Sequence, residues 1–232
     1  MRAGESLKVP PEVTPRGRTA TLAAALDEAP TLLEQAVGVL RAWSPSRDLA
    51  AAGVDDAADL PIGLADRALL TLHEEALGMP LEFTVTCDHC GEPVTLPLGR
   101  AEVPEHHPRS VRTASGAEVR EPTLRDLLAT GTDPAALLLR CSTGEGGTLA
   151  DLARVEGSLS GPLHADCVSC GAHLVLDVDV VALALRALGT VSAEFDLDVH
   201  VLASQYGWDL AVIESLPDHR RRRLASLARS GQ

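Results

Sequence analysis

A chain of 232 residues of which 45% are hydrophobic holds enough apolar material for one large core or two small ones. Its formal net charge of −13 repels phosphate backbones and anionic membrane surfaces, which sets nucleic-acid binding at a disadvantage. Only 2% of residues are aromatic and the apolar content is mostly Ala, Leu and Val, a composition that favours helices packed through aliphatic side chains over an aromatic-rich sandwich.

Residues 1 to 18 mix Pro, Arg and other charges with no hydrophobic period, and read as an extended arm that orders on a partner. These charges and prolines fall where a signal peptide needs an unbroken apolar stretch, and no run approaches 18 uncharged apolar residues. The expectation is a soluble, cytoplasmic protein. Residues 19 to 80 form a helical region: ATLAAALDEAPTLLEQAVGVLRAW carries apolar groups at three- and four-residue spacing, with a break between two helices at Pro30. A connector spans residues 44 to 63. ADRALLTLHEEALG then predicts an amphipathic helix stopped by Gly78 and Pro80.

At residue 81 the period changes to two. LEFTVTCDHCGEPVTLPL predicts strand, knuckle and strand, with Cys87, Cys90 and Gly91 at the turn. An α/β insertion over residues 101 to 160 follows: a hairpin about Ser115 and Gly116, short helices begun by Thr123 and Asp133, and a glycine loop at residues 144 to 147. GPLHADCVSCGAHLVLDVDV then repeats the strand, Cys-x-x-Cys-Gly and strand design, closing a unit over residues 81 to 180. Residues 181 to 232 predict a tail of about three helices, interrupted near Tyr206, Gly207 and Trp208 and capped at Pro217. The fold class is α+β, mainly helical, with a small antiparallel zinc-ribbon element carrying a long insertion.

Two Cys-x-x-Cys pairs supply the four thiolates that a tetrahedral structural zinc takes, and Cys87, Cys90, Cys167 and Cys170 are the predicted ligands. The two-residue spacer lets one knuckle present both sulfurs to a single ion. Gly91 and Gly171 let the backbone turn back where a β-carbon would crowd it. A thioredoxin-type redox pair would open a helix, whereas each pair here precedes strand-like sequence. Four thiolates leave no open coordination position, so the predicted zinc is structural and not catalytic. His89, His164 and His173 lie near enough in sequence to surround the site or to replace a ligand.

The remaining polar motifs read as structural. Cys141 ends an apolar helix as a small core residue, and Gly144 to Gly147 lack the Lys and Ser or Thr of a phosphate loop. Asp177 and Asp179 read as the solvent face of a strand, and His106 and His107 as loop residues without a ligand partner. Arg220 to Arg223 read as a solvated helix face or as complements to a helix C-terminus. Trp43, Tyr206 and Trp208 read as packing anchors. No Ser-His-Asp order, paired-carboxylate motif or phosphate loop predicts an enzyme.

The order of LADRALLTLHEEALGMPLEFTVTCDHCGEPVTLPL, VREPTLRDLLAT, DPAALLLRC, the second knuckle and SQYGWDLAVIESLPDHRRRRLASL resembles the baseplate proteins of contractile phage tails and related injection systems. The relatives are the T-even phage baseplate hub and hub-assembly family and the zinc-ribbon baseplate proteins of extracellular contractile injection clusters. The resemblance covers about residues 60 to 228 and rests chiefly on Tyr206-Gly207-Trp208 with Leu216-Pro217 and the arginine run, and on Glu121-Pro122-Thr123 entering a helix. Family members in cysteine-poor phages lack the ribbon, and the first 60 residues here depart from the pattern. The resemblance implies a non-enzymatic baseplate or assembly part that contacts hub, spike or wedge proteins in the bacterial cytoplasm, with neither nucleic acid nor membrane as partner. The competing class is a zinc-ribbon nucleic-acid or transcription accessory protein. Such ribbons normally carry basic or aromatic strand faces, whereas these strands carry Glu82, Glu92, Asp177 and Asp179.

Overall fold

A computed structural model describes residues 18–43, 53–99, 101 and 103–230. The predicted arm therefore lies outside the described residues except for Arg18, which opens the first helix.

Helix α1 (Arg18–Asp27) and helix α2 (Leu32–Trp43) fold back on each other across Pro30. Thr31 and Glu34 cap the start of α2 reciprocally: Thr31 Oγ1 accepts from the Glu34 backbone N–H at 3.3 Å, and the Glu34 carboxylate accepts from the Thr31 N–H at 3.1 Å. Gly38 permits close packing, because a β-carbon there would lie 3.3 Å from the Ala25 carbonyl oxygen. A 3₁₀ turn at Ala57–Asp59, capped by Asp56, leads into helix α3 (Ile62–Leu77). That helix ends at Gly78, whose φ of 75° is the left-handed conformation glycine adopts without strain.

Strands β1 (Leu81–Thr86) and β2 (Pro93–Leu98) pair antiparallel from Leu81↔Leu98 to Thr86↔Pro93. The insertion contributes β3 (Ser110–Arg112), β4 (Glu118–Arg120), helix α4 (Leu124–Thr130), helix α5 (Pro134–Cys141), β5 (Ser142–Thr143) and helix α6 (Leu149–Val155). Its strands form a three-stranded antiparallel sheet in the order β3-β4-β5, over a small core of Val119, Cys141, Leu152 and Val155. Thr123 and Thr148 each begin a helix with a full capping box. Strands β6 (Gly161–Asp166) and β7 (His173–Val178) form the second hairpin.

Helix α7 (Val180–Tyr206) follows at once, capped by Asp179, and its 27 residues extend about 40 Å at the standard helical rise. Asp179 is thus a helix cap, and the strand face ends at Asp177. The first half of α7 packs on the main core, where Leu185 and Leu188 join Leu22, Leu40, Leu69 and Leu70. Leu81 and Val178, at the open ends of the two hairpins, belong to the same core. The second half of α7 holds helix α8 (Leu210–Glu214) and helix α9 (Asp218–Ser230) through Leu202, Ile213 and Ala225. Among the described residues no helix is long and apolar enough to cross a membrane.

The arginine run departs from its expected solvated role at Arg221, which is 1% exposed. Its Nε lies 3.4 Å from Asp198 and its Nη1 2.5 Å from Asp218, while the guanidinium sits 4.6 Å over the Phe195 ring. Helical geometry alone explains the difference: Arg220, Arg222 and Arg223 point outward and Arg221 faces α7. Arg229 reaches Asp198 as well, at 3.2 Å. Two arginines thereby hold α9 against Asp198 on the inner face of α7.

Candidate metal centre

The two hairpins are built alike, each residue of the second lying 80 positions after its counterpart. In both, the strands close into a knuckle through the same two backbone hydrogen bonds. The Cys87 N–H donates to Glu92 O at 2.9 Å and the Gly91 N–H to Cys87 O at 2.8 Å; Cys167 and Gly171 repeat these to Ala172 O and Cys167 O at 2.9 and 2.8 Å. Gly91 and Gly171 have φ of 74° and 72°, so any other residue there would be strained.

The tips converge. Ligand atoms of Cys87, Cys90, Cys167 and Cys170 all lie within 4.8 Å of one another, a set that can hold a metal ion. Two separations between the knuckles are 3.8 Å, for Cys87 Sγ to Cys170 Sγ, and 3.7 Å, for Cys90 Sγ to Cys167 Sγ. Cys87 and Cys167 are buried against Val94 and Leu174, whereas Cys90 and Cys170 face solvent.

Backbone N–H groups of Cys170 and Ser169 aimed at the Cys167 sulfur lower its pKa to about 7. At Cys90 the Glu92 N–H acts in the same direction, but burial and the three neighbouring thiols outweigh it and push the group up to about 12. Cys170 is raised too, against the pull of the Ala172 N–H. Thiols this close cannot all ionise unaided, since each negative charge opposes the next. A divalent cation reverses that balance, stabilising every thiolate and displacing the protons.

The three histidines weighed beside this set stand apart from it. His89 is exposed on the first knuckle. His164 and His173 lie on the outer face of the second hairpin and contact each other. Cys141 is buried, 3.9 Å from Asp126, and burial with that carboxylate pushes its thiol up to about 11, which suits an inert core residue.

Sequence reasoning missed the junction that brings the hairpins together. His106, expected to be a loop residue without a partner, is buried with its Nε2 2.8 Å from Glu121 Oε2; the two side chains are 2% and 1% exposed. Glu121 Oε1 accepts from the Gly63 N–H at 2.9 Å. Asp66, also buried, accepts from Leu159 N–H at 2.7 Å and Ser158 Oγ at 2.8 Å, and burial raises its pKa. Between these ties Leu60 O accepts from Leu124 N–H and Pro122 O from Ile62 N–H, at 3.1 and 3.0 Å. The run Glu121-Pro122-Thr123 was legible as a helix entry; its pairing with residues 60 to 62 has no local sequence signal. Tyr206, read as a packing anchor, is 46% exposed and stacks obliquely on Trp208, which packs toward Leu202.

Compared with known proteins, the chain matches no family model, no curated protein sequence and no solved structure.

Proposed function

We propose that Cys87, Cys90, Cys167 and Cys170 hold one structural zinc ion in a zinc ribbon split by residues 101 to 160. The reading further takes the chain as a non-enzymatic structural or assembly component of the baseplate of a contractile tail-like particle. The observation that carries the metal assignment is the sulfur geometry. Four sulfurs at about 2.3 Å from a tetrahedral zinc stand about 3.8 Å apart; two pairs across the knuckles stand at 3.7 and 3.8 Å, and all four lie within 4.8 Å of one another. An all-thiolate set with N–H groups aimed at the sulfurs favours zinc over harder cations such as magnesium or calcium.

The baseplate reading rests on the sequence resemblance and is consistent with the buried polar groups, which spend their hydrogen bonds on joining elements. Hub, spike and wedge proteins are its proposed partners, and the cytoplasm its proposed site of assembly. A DNA- or RNA-binding role is disfavoured by hairpin strands that carry Glu82, Asp166 and Asp177 but no Lys or Arg, and by the loss of Arg221 to the interior.

Two measurements test the proposal separately. Elemental analysis of purified protein should give one zinc per chain, and Cys90→Ser or Cys170→Ser should lower metal content and thermal stability together. For the assembly role, sheath, tube and spike genes expressed with this chain should yield sheathed particles that fail to form without it. Particles assembling normally in its absence would overturn the baseplate reading and leave the zinc site intact.

A further inference from the structure

The outer face of the second hairpin carries a group of side chains that the cysteine site does not use. His164 and Asp166 alternate on β6, and His173 on β7 stands directly across from Asp166. His173 Nδ1 is 3.1 Å from Asp166 Oδ1, and His173 Nε2 is 3.2 Å from His164 Nδ1. The rings lie nearly parallel, 15° between planes, with centroids 5.3 Å apart. All three residues are exposed.

The hydrogen-bond chain fixes the protons. An ionised Asp166 only accepts, so His173 donates from Nδ1 and its Nε2 carries a lone pair. The proton in the 3.2 Å contact therefore belongs to His164 Nδ1. A histidine oriented by a carboxylate at one nitrogen, with the lone pair of the other nitrogen turned toward a second imidazole, has the partner arrangement that metal-binding histidines use. The spacing agrees: two imidazole nitrogens each 2.0–2.1 Å from one cation stand about 3 to 3.4 Å apart.

We propose that His164 Nδ1 and His173 Nε2 form a second, solvent-facing site for a late first-row divalent cation such as Ni²⁺ or Cu²⁺, with Asp166 as the positioning residue for His173. Imidazole suits these ions, and Asp166 and Asp177 on the same face make it attractive to cations. Binding needs no net proton release. His164 shifts its proton from Nδ1 to Nε2, the cation takes the vacated lone pair and the one on His173, and water fills the remaining positions. Both side chains are free to turn a little outward, and the hairpin beneath them is pinned by its knuckle at one end and by Val178 in the main core at the other.

The test is a calorimetric titration with Ni²⁺ of the full chain loaded beforehand with a single equivalent of zinc, which the four thiolates take in preference to two imidazoles. The wild type should take up one equivalent more than His164→Ala or His173→Ala, with cysteine-bound zinc and melting temperature the same in all three. Asp166→Asn should keep the stoichiometry and weaken the affinity about tenfold or more. The proposal is overturned if the wild type takes up no additional cation, or if uptake persists undiminished in both histidine variants. The comparison reads a difference of one equivalent, so it stands or falls independently of the cysteine site.

Discussion

Gly157→Ala tests how the halves of the chain are joined. Gly157 precedes the strand that brings Cys167 to the first knuckle, and its α-carbon faces the His106–Glu121 pair. A β-carbon there would overlap the His106 ring and lie 2.5 Å from Glu121 Oε1. Neither side chain has an outlet, because they are 2% and 1% exposed. Relief therefore requires breaking the 2.8 Å contact between them or the 2.9 Å hydrogen bond from Gly63. Disrupting a buried pair so that one member loses its partner costs about 3–5 kcal/mol. At roughly 2–4 °C per kcal/mol for a chain of this size, the melting temperature should fall by about 6–20 °C. Circular dichroism during heating measures this. Gly189→Ala is the control, since its added methyl would meet nothing within 4 Å beyond its own helix backbone and chain neighbours, and it sits inside helix α7, so it should be neutral or stabilise by about 0.5–1 kcal/mol. A Gly157→Ala protein melting within two degrees of wild type would refute the account of a sealed junction.

The other predictions concern charge and packing. Arg221→Ala should loosen α9 from α7 and expose the segment near Pro217 to limited proteolysis, at a local cost of about 3–5 kcal/mol, whereas Arg222→Ala should stay within about 0.5 kcal/mol of wild type. Arg120 and the Thr123 backbone overcome the burial of Asp126 and lower its pKa to about 2; its stabilisation should be complete above about pH 4 and be lost as pH falls through about 2. Denaturation midpoints across that window should flatten in Asp126→Asn. Asp66 has the opposite sign: burial raises its folded pKa, so ionising it costs stability as pH rises above the ordinary 3.8. Asp66→Asn, which keeps an oxygen for Leu159 and Ser158, should therefore lose less stability than wild type between acid and neutral pH; an unchanged pH profile would count against this.

The features legible in the sequence were those written in local periods. Alternation of apolar residues, paired cysteines with a following glycine, and cap residues such as Thr123 and Asp133 each report on a few neighbouring positions, and the hairpins and helices stand where they indicate. What escaped were contacts between distant polar groups. His106 and Glu121 carry no periodic signal, and a histidine flanked by proline-rich loop sequence looks exposed until Gly63 and Gly157 are seen to leave room for its ring. Arg221 escaped for a related reason. Four consecutive arginines cannot all face water on a helix packed along one side, but sequence alone does not tell which one turns inward.

These missed contacts explain how a four-cysteine site tolerates so long an insertion. Bringing the ends of a flexible segment of this length together costs on the order of 4 kcal/mol in chain entropy, and a metal acting alone would have to offset it. Here the protein brings residue 161 back beside α3 through other means. Leu60 and Ile62 pair with Leu124 and Pro122, Glu121 clasps Gly63 and His106, and Asp66 holds Ser158 and Leu159, the residues just before β6. Leu81 and Val178 then place the open ends of both hairpins in one core. The sulfurs are therefore brought together by a scaffold that has closing contacts of its own. Removing the metal should loosen the knuckle tips while the helical core persists, unlike a small zinc finger that unfolds outright. Chelation followed by hydrogen exchange distinguishes the two cases: protection lost only at residues 85–94 and 165–174 supports preassembly, and protection lost across α3 and α7 as well would show that the cation itself closes the fold.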